Sequence, residues 1–368
     1  YAYYDSSFTP SADGNLTETN RIIGEYSGWA TYVNMEYALS DTFDLELGIR
    51  HTSDKKNFSN MVPTPESDLG PYWAYGFSTA EPLTDTKTWT DTSFRFLTRW
   101  KPADDMMIFA SYTEGYKSGG FGSFNLDNNA ADESPLGNSD LTRADGFLPN
   151  AFEPELVDSY EIGYKDTWFN GNARVDLTAF YYEYQDLQVV VFNNGASAVK
   201  NVGKAESSGI EGSIRTKISD NFNMYLALSY LDSEASQLQD ICELEDANGC
   251  EGSPLFWAPE FSGAIVLDGD FPLQNGASIT TSIELFWETE RGGGWENLST
   301  TKIDGYQEMA ARVGYQSAGD WYIQAYVENL TDETSWDGAN NNGGLVPSHF
   351  FGPKKPRTFG VRLGMTWE

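Results

Sequence analysis

The chain has 368 residues but no long apolar run. A helix that crosses a bilayer needs about 20 consecutive, mostly apolar residues, and no stretch reaches that length. The mean hydropathy is −0.47, although aromatic residues make up 15% of the chain. A membrane helix is therefore excluded. Strands of a transmembrane barrel stay compatible with the sequence, because they alternate apolar and polar residues and give only a weak hydropathy signal.

Positive charge is also scarce, with 23 Lys and Arg against 55 Asp and Glu, for a formal net charge of −32. A nucleic-acid partner is excluded, because binding phosphates needs basic patches. The acidic balance indicates solvated loops, adaptation to a salty medium, or a surface neutralised by divalent cations. The acid pairs Asp104-Asp105 and Glu243 with Glu245 and Asp246 could hold a structural Ca²⁺, but no spaced calcium-loop motif accompanies them.

Histidine and cysteine are nearly absent, with two residues of each. Lone histidines such as His51 and His349 are most often loop or lumen residues, so we predict no metal or haem site. Ser348 beside His349 does not predict a hydrolase, because neighbours on a strand do not face each other. We expect no catalytic residues and no enzyme. Cys242 and Cys250 lie close together in a polar loop and predict a local disulfide formed in an oxidising compartment.

The clearest positive signal is a long alternating segment between residues 152 and 188. Asn170-Gly171-Asn172 supplies a turn, since Gly adopts positive φ freely and Asn tolerates it. Apolar residues recur at every second position around that turn, at Tyr160, Ile162, Tyr164, Trp168, Val175, Leu177, Ala179 and Tyr181. This period predicts a β-hairpin with one apolar face and one polar face. Such a hairpin fits a soluble sandwich or a barrel whose apolar face contacts lipid.

The connections along the rest of the chain favour the barrel. Short turns, such as Ser40-Asp41-Thr42 and Ser219-Asp220-Asn221, alternate strictly with long loops. Outer-membrane barrels have tight periplasmic turns and long extracellular loops, whereas sandwiches mix connection lengths. We therefore predict an all-β fold, a transmembrane up-and-down antiparallel β-barrel, with about 14 strands present.

Six segments carry a family resemblance: IFASYTEGYKSGGF from Ile108, FEPELVDSYEIGYKDTWF from Phe152, QDLQVVVFN from Gln185, VKNVGKAESSGIEGSI from Val199, YVENLTDETSW from Tyr326 and RTFGVRLGMTW from Arg357. In this order they resemble the C-terminal barrel of TonB-dependent outer-membrane receptors, in the branch of ferric-siderophore receptors. The resemblance implies that residues 1–368 are part of a barrel of about 22 strands, without its plug domain and first strands.

The resemblance also implies a function. The family consists of active transporters of the bacterial outer membrane that import a scarce nutrient, with a ferric siderophore as the leading cargo. The implied partners are outer-membrane lipid and lipopolysaccharide, a small-molecule ligand, and the TonB complex, reached through the N-terminal region. No cofactor is expected. Two alternatives stay open: a receptor for a glycan or another nutrient, which suits the acidic charge better than an anionic iron chelate, and a passive diffusion channel.

The candidate ligand-binding residues are aromatic residues assigned to extracellular loops, because exposed rings can stack on sugars or on the aromatic groups of siderophores. They are Trp73, Tyr75, Trp89, Trp295, Trp336, Phe350 and Phe351. The alternative is that these rings pack the loops on one another. Arg291 and the following glycines predict a flexible loop. Asn329 and Asp332 are expected where a strand gives way to a loop, bonded locally to the backbone.

Overall fold

A computed structural model describes residues 2–8, 18–63, 77–128, 138–193, 196–237, 251–255, 257–292, 301–341 and 349–366. Regular structure in these ranges is almost entirely β-strand, with one 3-10 turn at Arg143–Asp145. Nowhere in these ranges is there a helix of the length and apolarity that membrane crossing requires.

One sheet of fourteen antiparallel strands forms the body of the molecule. In their order across the sheet, the strands are β1 (Ala2–Phe8), β2 (Glu18–Ser40), β3 (Phe43–Met61), β4 (Leu83–Ala103), β5 (Met106–Lys117), β8 (Glu155–Trp168), β9 (Ala173–Asn193), β10 (Ala196–Lys217), β11 (Phe222–Ser236), β12 (Phe261–Pro272), β13 (Ser278–Glu288), β16 (Tyr306–Gln316), β17 (Trp321–Glu328) and β20 (Thr358–Met365). Each strand pairs with the next in the chain, apart from short hairpins inserted between them. The predicted strand count and the up-and-down order are confirmed.

The inserted hairpins are β6 (Gly120–Asn128) with β7 (Phe147–Phe152), β14 (Arg291–Gly292) with β15 (Lys302–Ile303), and β18 (Trp336–Asn341) with β19 (His349–Pro353). All three lie at the end of the sheet with the long connections. The hairpin β6–β7 adjoins a small buried core of Val62, Phe77, Leu83, Leu126, Leu141 and Phe147. The predicted strict alternation of short turns and long loops fails between β9 and β10, which stay paired up to Asn193 and Ala196.

The opposite end of the sheet consists of short turns, at residues 41–42, 104–105, 169–172, 218–221, 273–277 and 317–320. In the predicted turn, Asn170 and Gly171 have φ of 55° and 90°. Lys217 donates a hydrogen bond to Asp220 over 2.8 Å, and this bond lowers the pKa of the Asp220 carboxyl. Tight turns at one end and long connections at the other define a periplasmic end and an extracellular end.

One face of the sheet is apolar from strand to strand. The register places six apolar residues opposite one another across β9 to β16, in the row Val175, Ile214, Leu226, Ile265, Leu285 and Met309. Val313 and Leu363 on this face are 52% and 72% exposed. No second sheet covers the face anywhere in the described ranges, which rules out a sandwich and leaves lipid as its solvent.

The other face is polar and holds ion pairs. Arg99 contacts Glu46 and Glu36, each over 2.6 Å, and Arg95 lies 3.6 Å from Glu46. The Glu46 side chain is only 8% exposed and also accepts a hydrogen bond from Asn34. A charge that loses water needs such partners. This face therefore lines the inside of the barrel.

A row of carboxylates crosses the outer face above its apolar part. Five acidic residues lie directly opposite one another on five successive strands: Glu114, Asp158, Glu183, Glu206 and Glu234. Tyr112 donates hydrogen bonds to Glu114 and Asp158, and Lys204 lies 3.4 Å from Glu183. Hydrocarbon does not tolerate such a row of charges, so it marks where the apolar belt ends on the extracellular side.

Candidate extracellular binding surface

The predicted aromatic site divides into three groups. Trp73, Tyr75 and Trp295 lie outside the described residues, as do Cys242 and Cys250 of the predicted disulfide. Phe350 belongs to β19, but only its backbone is described. The remaining three aromatic residues, Trp89, Trp336 and Phe351, can be placed.

The prediction for Trp89 is wrong. Trp89 lies within β4 rather than in a loop and is only 6% exposed. Its Nε1 donates a 2.8 Å hydrogen bond to Glu153, and its ring packs edge-on against Phe121 at 5.9 Å. The nearest atoms of its indole lie 2.5 Å from where a Cβ on Gly119 would stand. Trp89 therefore joins the barrel wall to the connection between β5 and β6, and its face is not available to a ligand.

Trp336 and Phe351 meet on the hairpin β18–β19. Their ring centroids are 5.4 Å apart, and the two side chains are 36% and 38% exposed. Cross-strand aromatic pairs stabilise a hairpin, so part of their role is structural. Because more than a third of each side chain still reaches solvent, the pair also presents apolar surface at the extracellular end.

Arg291 holds this hairpin from below. The guanidinium donates to the carbonyl oxygens of Trp336 and Asp337, at 3.4 and 3.2 Å, and its Nε bonds to Glu288. The Arg291 side chain is only 9% exposed. The prediction of a flexible loop at Arg291 is wrong, since Arg291–Gly292 pairs with Lys302–Ile303. Arg291 therefore links Glu288 at the end of β13 to the backbone of β18.

Trp257 also lies at this end of the sheet, although it is not among the predicted binding residues. It lies between β11 and β12 and is 52% exposed. Its backbone has φ of 60°, a left-handed conformation that bulky residues rarely adopt. Atoms of its indole lie 3.3 and 3.8 Å from where a Cβ on Gly338 would stand, so the ring rests on the glycine of β18. We call Trp257, Trp336, Phe351 and Gly338 the aromatic platform.

The cations beside the platform are ion-paired. Lys354 bonds to the Tyr306 hydroxyl, lies 3.9 Å from the centroid of that ring, and is 3.6 Å from Glu308. Lys302 lies 3.1 Å from Glu290. Arg291 and Glu288 form a third ion pair here. The groups that the platform offers to a ligand are the faces of its aromatic rings.

The histidines and acidic residues considered from the sequence can be placed only in part. His51 lies on the outer face, where its Nδ1 is 2.8 Å from the Thr92 hydroxyl and its ring is 5.5 Å from Trp29. The side chain of His349 and the acids Glu243, Glu245 and Asp246 are not described. Among the described side chains, no three or more His, Cys, Asp or Glu are grouped so as to hold a metal ion.

Asn329 and Asp332 follow the end of β17, and their side chains accept and donate hydrogen bonds there. The Asn329 amide donates to the Glu333 carbonyl and accepts from the Glu333 amide, both at 2.8 Å. Asp332 accepts from the amide and the guanidinium of Arg357. Both residues have positive φ. The expected local bonding to backbone is confirmed for Asn329, whereas the side chain of Asp332 bonds to Arg357, 25 residues further along the chain. These contacts fix the base of the loop that carries β18–β19.

Together these features define a transmembrane β-barrel whose extracellular end carries partly exposed aromatic surface. The family model for TonB dependent receptor-like β-barrels matches residues 1–330. The chain belongs to this family, whose barrels lie in the outer membrane of Gram-negative bacteria.

Similar proteins agree with this assignment. The pesticin receptor of Yersinia enterocolitica is 19% identical over 307 residues, which are 82% of this chain and 39% of that protein. The metal-pseudopaline receptor CntO of Pseudomonas aeruginosa is 24% identical over 224 residues, or 59% of this chain and 28% of that protein. The chain thus spans well under half of these relatives.

Solved structures share the fold. The ferric yersiniabactin uptake receptor FyuA from Yersinia pestis superposes with a TM-score of 0.74 at 17% identity, covering 98% of this chain and 48% of FyuA. The ferric-catecholate import receptor Fiu from E. coli K12, in its closed form, gives 0.65 at 17% identity, covering 96% and 45%. At these identities the similarity establishes the barrel fold.

Proposed function

We propose that this chain is the C-terminal part of a receptor that imports a scarce nutrient across the outer membrane, with a ferric siderophore as its leading cargo. The proposal depends mainly on the fold, in which fourteen strands follow one another in up-and-down order with an apolar outer face and an ion-paired inner face. The family match over residues 1–330 supports the same conclusion. Two relatives whose names include ferric yersiniabactin and ferric-catecholate uptake support the cargo class.

The same proposal includes the partners. The remaining strands and a plug would complete a barrel of about 22 strands, because β1 and β20 otherwise leave unpaired sheet edges in hydrocarbon. Energy for import would reach the receptor from the TonB complex. The outer face would contact membrane lipid and lipopolysaccharide. We expect no resident cofactor, since the cargo itself supplies the iron.

Uptake measurements test the proposal. Cells that carry or lack the complete gene would be supplied with radiolabelled ferric siderophore under iron limitation, with and without a functional TonB. An energised receptor gives saturable uptake that needs both the gene and TonB. Uptake that persists without TonB and does not saturate would indicate a passive diffusion channel instead. Gene-dependent growth on an oligosaccharide, without iron uptake, would indicate a glycan receptor.

A further inference from the structure

A groove opens on the lipid face of the sheet, across β9 to β13. Its volume is about 590 Å³, which is the size of a small-molecule site. Large apolar side chains form its walls, and three of them, Leu177, Ile210 and Leu228, are half-exposed. The groove therefore opens toward hydrocarbon.

The groove exists because Gly212 of β10 carries no side chain and no ring takes its place. Gly212 lies directly between Leu177 and Leu228 in the register of the sheet. A ring from a neighbouring strand can cover such a gap, as the Trp287 indole does over Gly263. At Gly212, the atom closest to the position of an added Cβ is a methyl carbon of Leu177, at 3.2 Å. A strip of sheet about one side chain deep is thus left open to lipid.

The length of the groove matches one leaflet of the membrane. Ile214 and Ile210 line it on β10, and four residues of strand span about 13 Å. One leaflet contributes about half of a hydrocarbon core that is about 30 Å thick. Tyr230 and Phe261 lie at its extracellular end, with ring centroids 4.9 Å apart. Tyrosine is common at the level where hydrocarbon meets the headgroups.

Carboxylates lie just beyond this end of the groove. Asp232 follows Tyr230 by two residues and shares its face, and Glu206 and Glu234 belong to the carboxylate row. All three are exposed, and none of them takes part in a described ion pair, since Lys204 pairs with another acid of the row. The described part of the chain groups no three acidic, His or Cys residues around a metal ion. These charges attract an ammonium group and repel an anionic headgroup.

We propose that the groove binds an acyl chain of one phosphatidylethanolamine molecule, whose ammonium group lies beside Asp232 and the carboxylate row. The proposal requires only that this face meets lipid, and it is independent of the cargo. A second copy of the chain fits the surface less well, because its own carboxylates would face these across the contact.

Lipid retention by the complete receptor tests the proposal. The receptor in detergent is mixed with equal amounts of phosphatidylethanolamine and phosphatidylglycerol that carry the same chains, and native mass spectrometry counts the retained lipids. Wild type should retain phosphatidylethanolamine about fivefold better than phosphatidylglycerol. Gly212→Leu should lower the retention of phosphatidylethanolamine by about five- to tenfold, because the new side chain fills the groove.

Two further variants complete the test. Ala110→Leu is the matched control, since it adds the same side chain opposite Ile162 on the lipid face of β5, outside the groove, and should leave retention unchanged. Asp232→Lys leaves the groove intact and should reverse the preference between the two lipids. It decides the question even where Gly212→Leu does not fold, and heat-dependent mobility on a gel shows which variants fold.

Four results would overturn the proposal. Equal retention by wild type and a folded Gly212→Leu would show that the groove holds no chain. A preference that Asp232→Lys does not change would remove the headgroup contact. Retention of lipid A that depends on added Mg²⁺, without retention of phosphatidylethanolamine, would assign the surface to lipopolysaccharide bridged by ions. A dimer that carries no lipid would assign it to a second copy.

Discussion

Asn201 and Glu153 exchange two hydrogen bonds between a side chain and a backbone. The Asn201 amide oxygen accepts from the Glu153 amide at 2.6 Å, and its nitrogen donates to the Glu153 carbonyl at 2.7 Å. The same nitrogen reaches the carbonyl of Asp186 at 2.9 Å. We call these hydrogen bonds of Asn201 the clamp. Asp186 and Gly203 both have positive φ, so the backbone on either side of the clamp is irregular. One side chain thereby joins the entry of β8 to irregular positions of β9 and β10.

We predict that Asn201→Ala lowers the stability of the complete receptor by about 2–4 kcal/mol, because several backbone groups lose a partner at once. The measurement is the midpoint of urea unfolding in detergent. Asn201→Asp keeps the bond to the Glu153 amide and should fall between Ala and wild type. Asn223→Ala, a control substitution at the start of β11, should change little. An unchanged midpoint for Asn201→Ala would show that the clamp contributes nothing.

The sequence predicted the sheet better than the loops, and the reason is physical. Apolar and polar residues alternate with a period of two along a strand, so the faces of β8, β9 and β16 were predictable from the local sequence pattern. Contacts between loops depend on residues far apart in sequence. The hairpins β6–β7, β14–β15 and β18–β19 were missed for that reason.

Two missed residues had local signals. Trp89 lies in a run in which Thr84, Thr86, Thr88 and Thr90 alternate, a β-branched pattern that extends the strand. Trp257 lies between Pro254 and Pro259, which restrict the backbone and make a fixed turn more probable than a mobile loop. The stacking of Trp257 on Gly338 joins positions about eighty residues apart, and no local pattern predicts it.

The carboxylate row predicts a stabilising substitution. Glu206 lies directly between Glu183 and Glu234, and like charges facing each other across strands are unfavourable. Glu206→Gln should therefore stabilise the receptor by about 0.2–1 kcal/mol in low salt, measured as the unfolding midpoint. The gain should shrink in high salt, because screening already weakens the repulsion. Glu284→Gln is the control of opposite sign, because Glu284 is paired with Arg312. A lower midpoint for Glu206→Gln would contradict the reading of the row as repulsive.

The ion pairs inside the barrel predict a loss. Glu46 is bonded by Arg99 and Asn34 and lies near Arg95, so Glu46→Ala leaves the Arg99 guanidinium with only one of its two carboxylates, Glu36. We expect a loss of about 1–3 kcal/mol, measured by the same unfolding midpoint. Asp220→Asn, at an exposed turn, should have almost no effect because exposed pairs contribute little. Equal effects at the two positions would mean that burial of Glu46 does not matter.

A further prediction follows from assigning one face of the sheet to lipid and the other to the lumen. Val313 and Ala310 both lie on β16 but differ in parity, so Val313 faces lipid while Ala310, opposite Glu284, faces the lumen. Val313→Arg should destabilise the barrel, because a charge on the lipid face costs up to about 2–4 kcal/mol depending on its depth, whereas Ala310→Arg should be tolerated beside that carboxylate. Spin labels at the two positions give an independent measurement. The label at 313 should be relaxed mainly by oxygen, which partitions into lipid, and the label at 310 by a water-soluble reagent. The reverse pattern, or protection of position 313 from both reagents, would mean that the apolar face packs against protein rather than lipid.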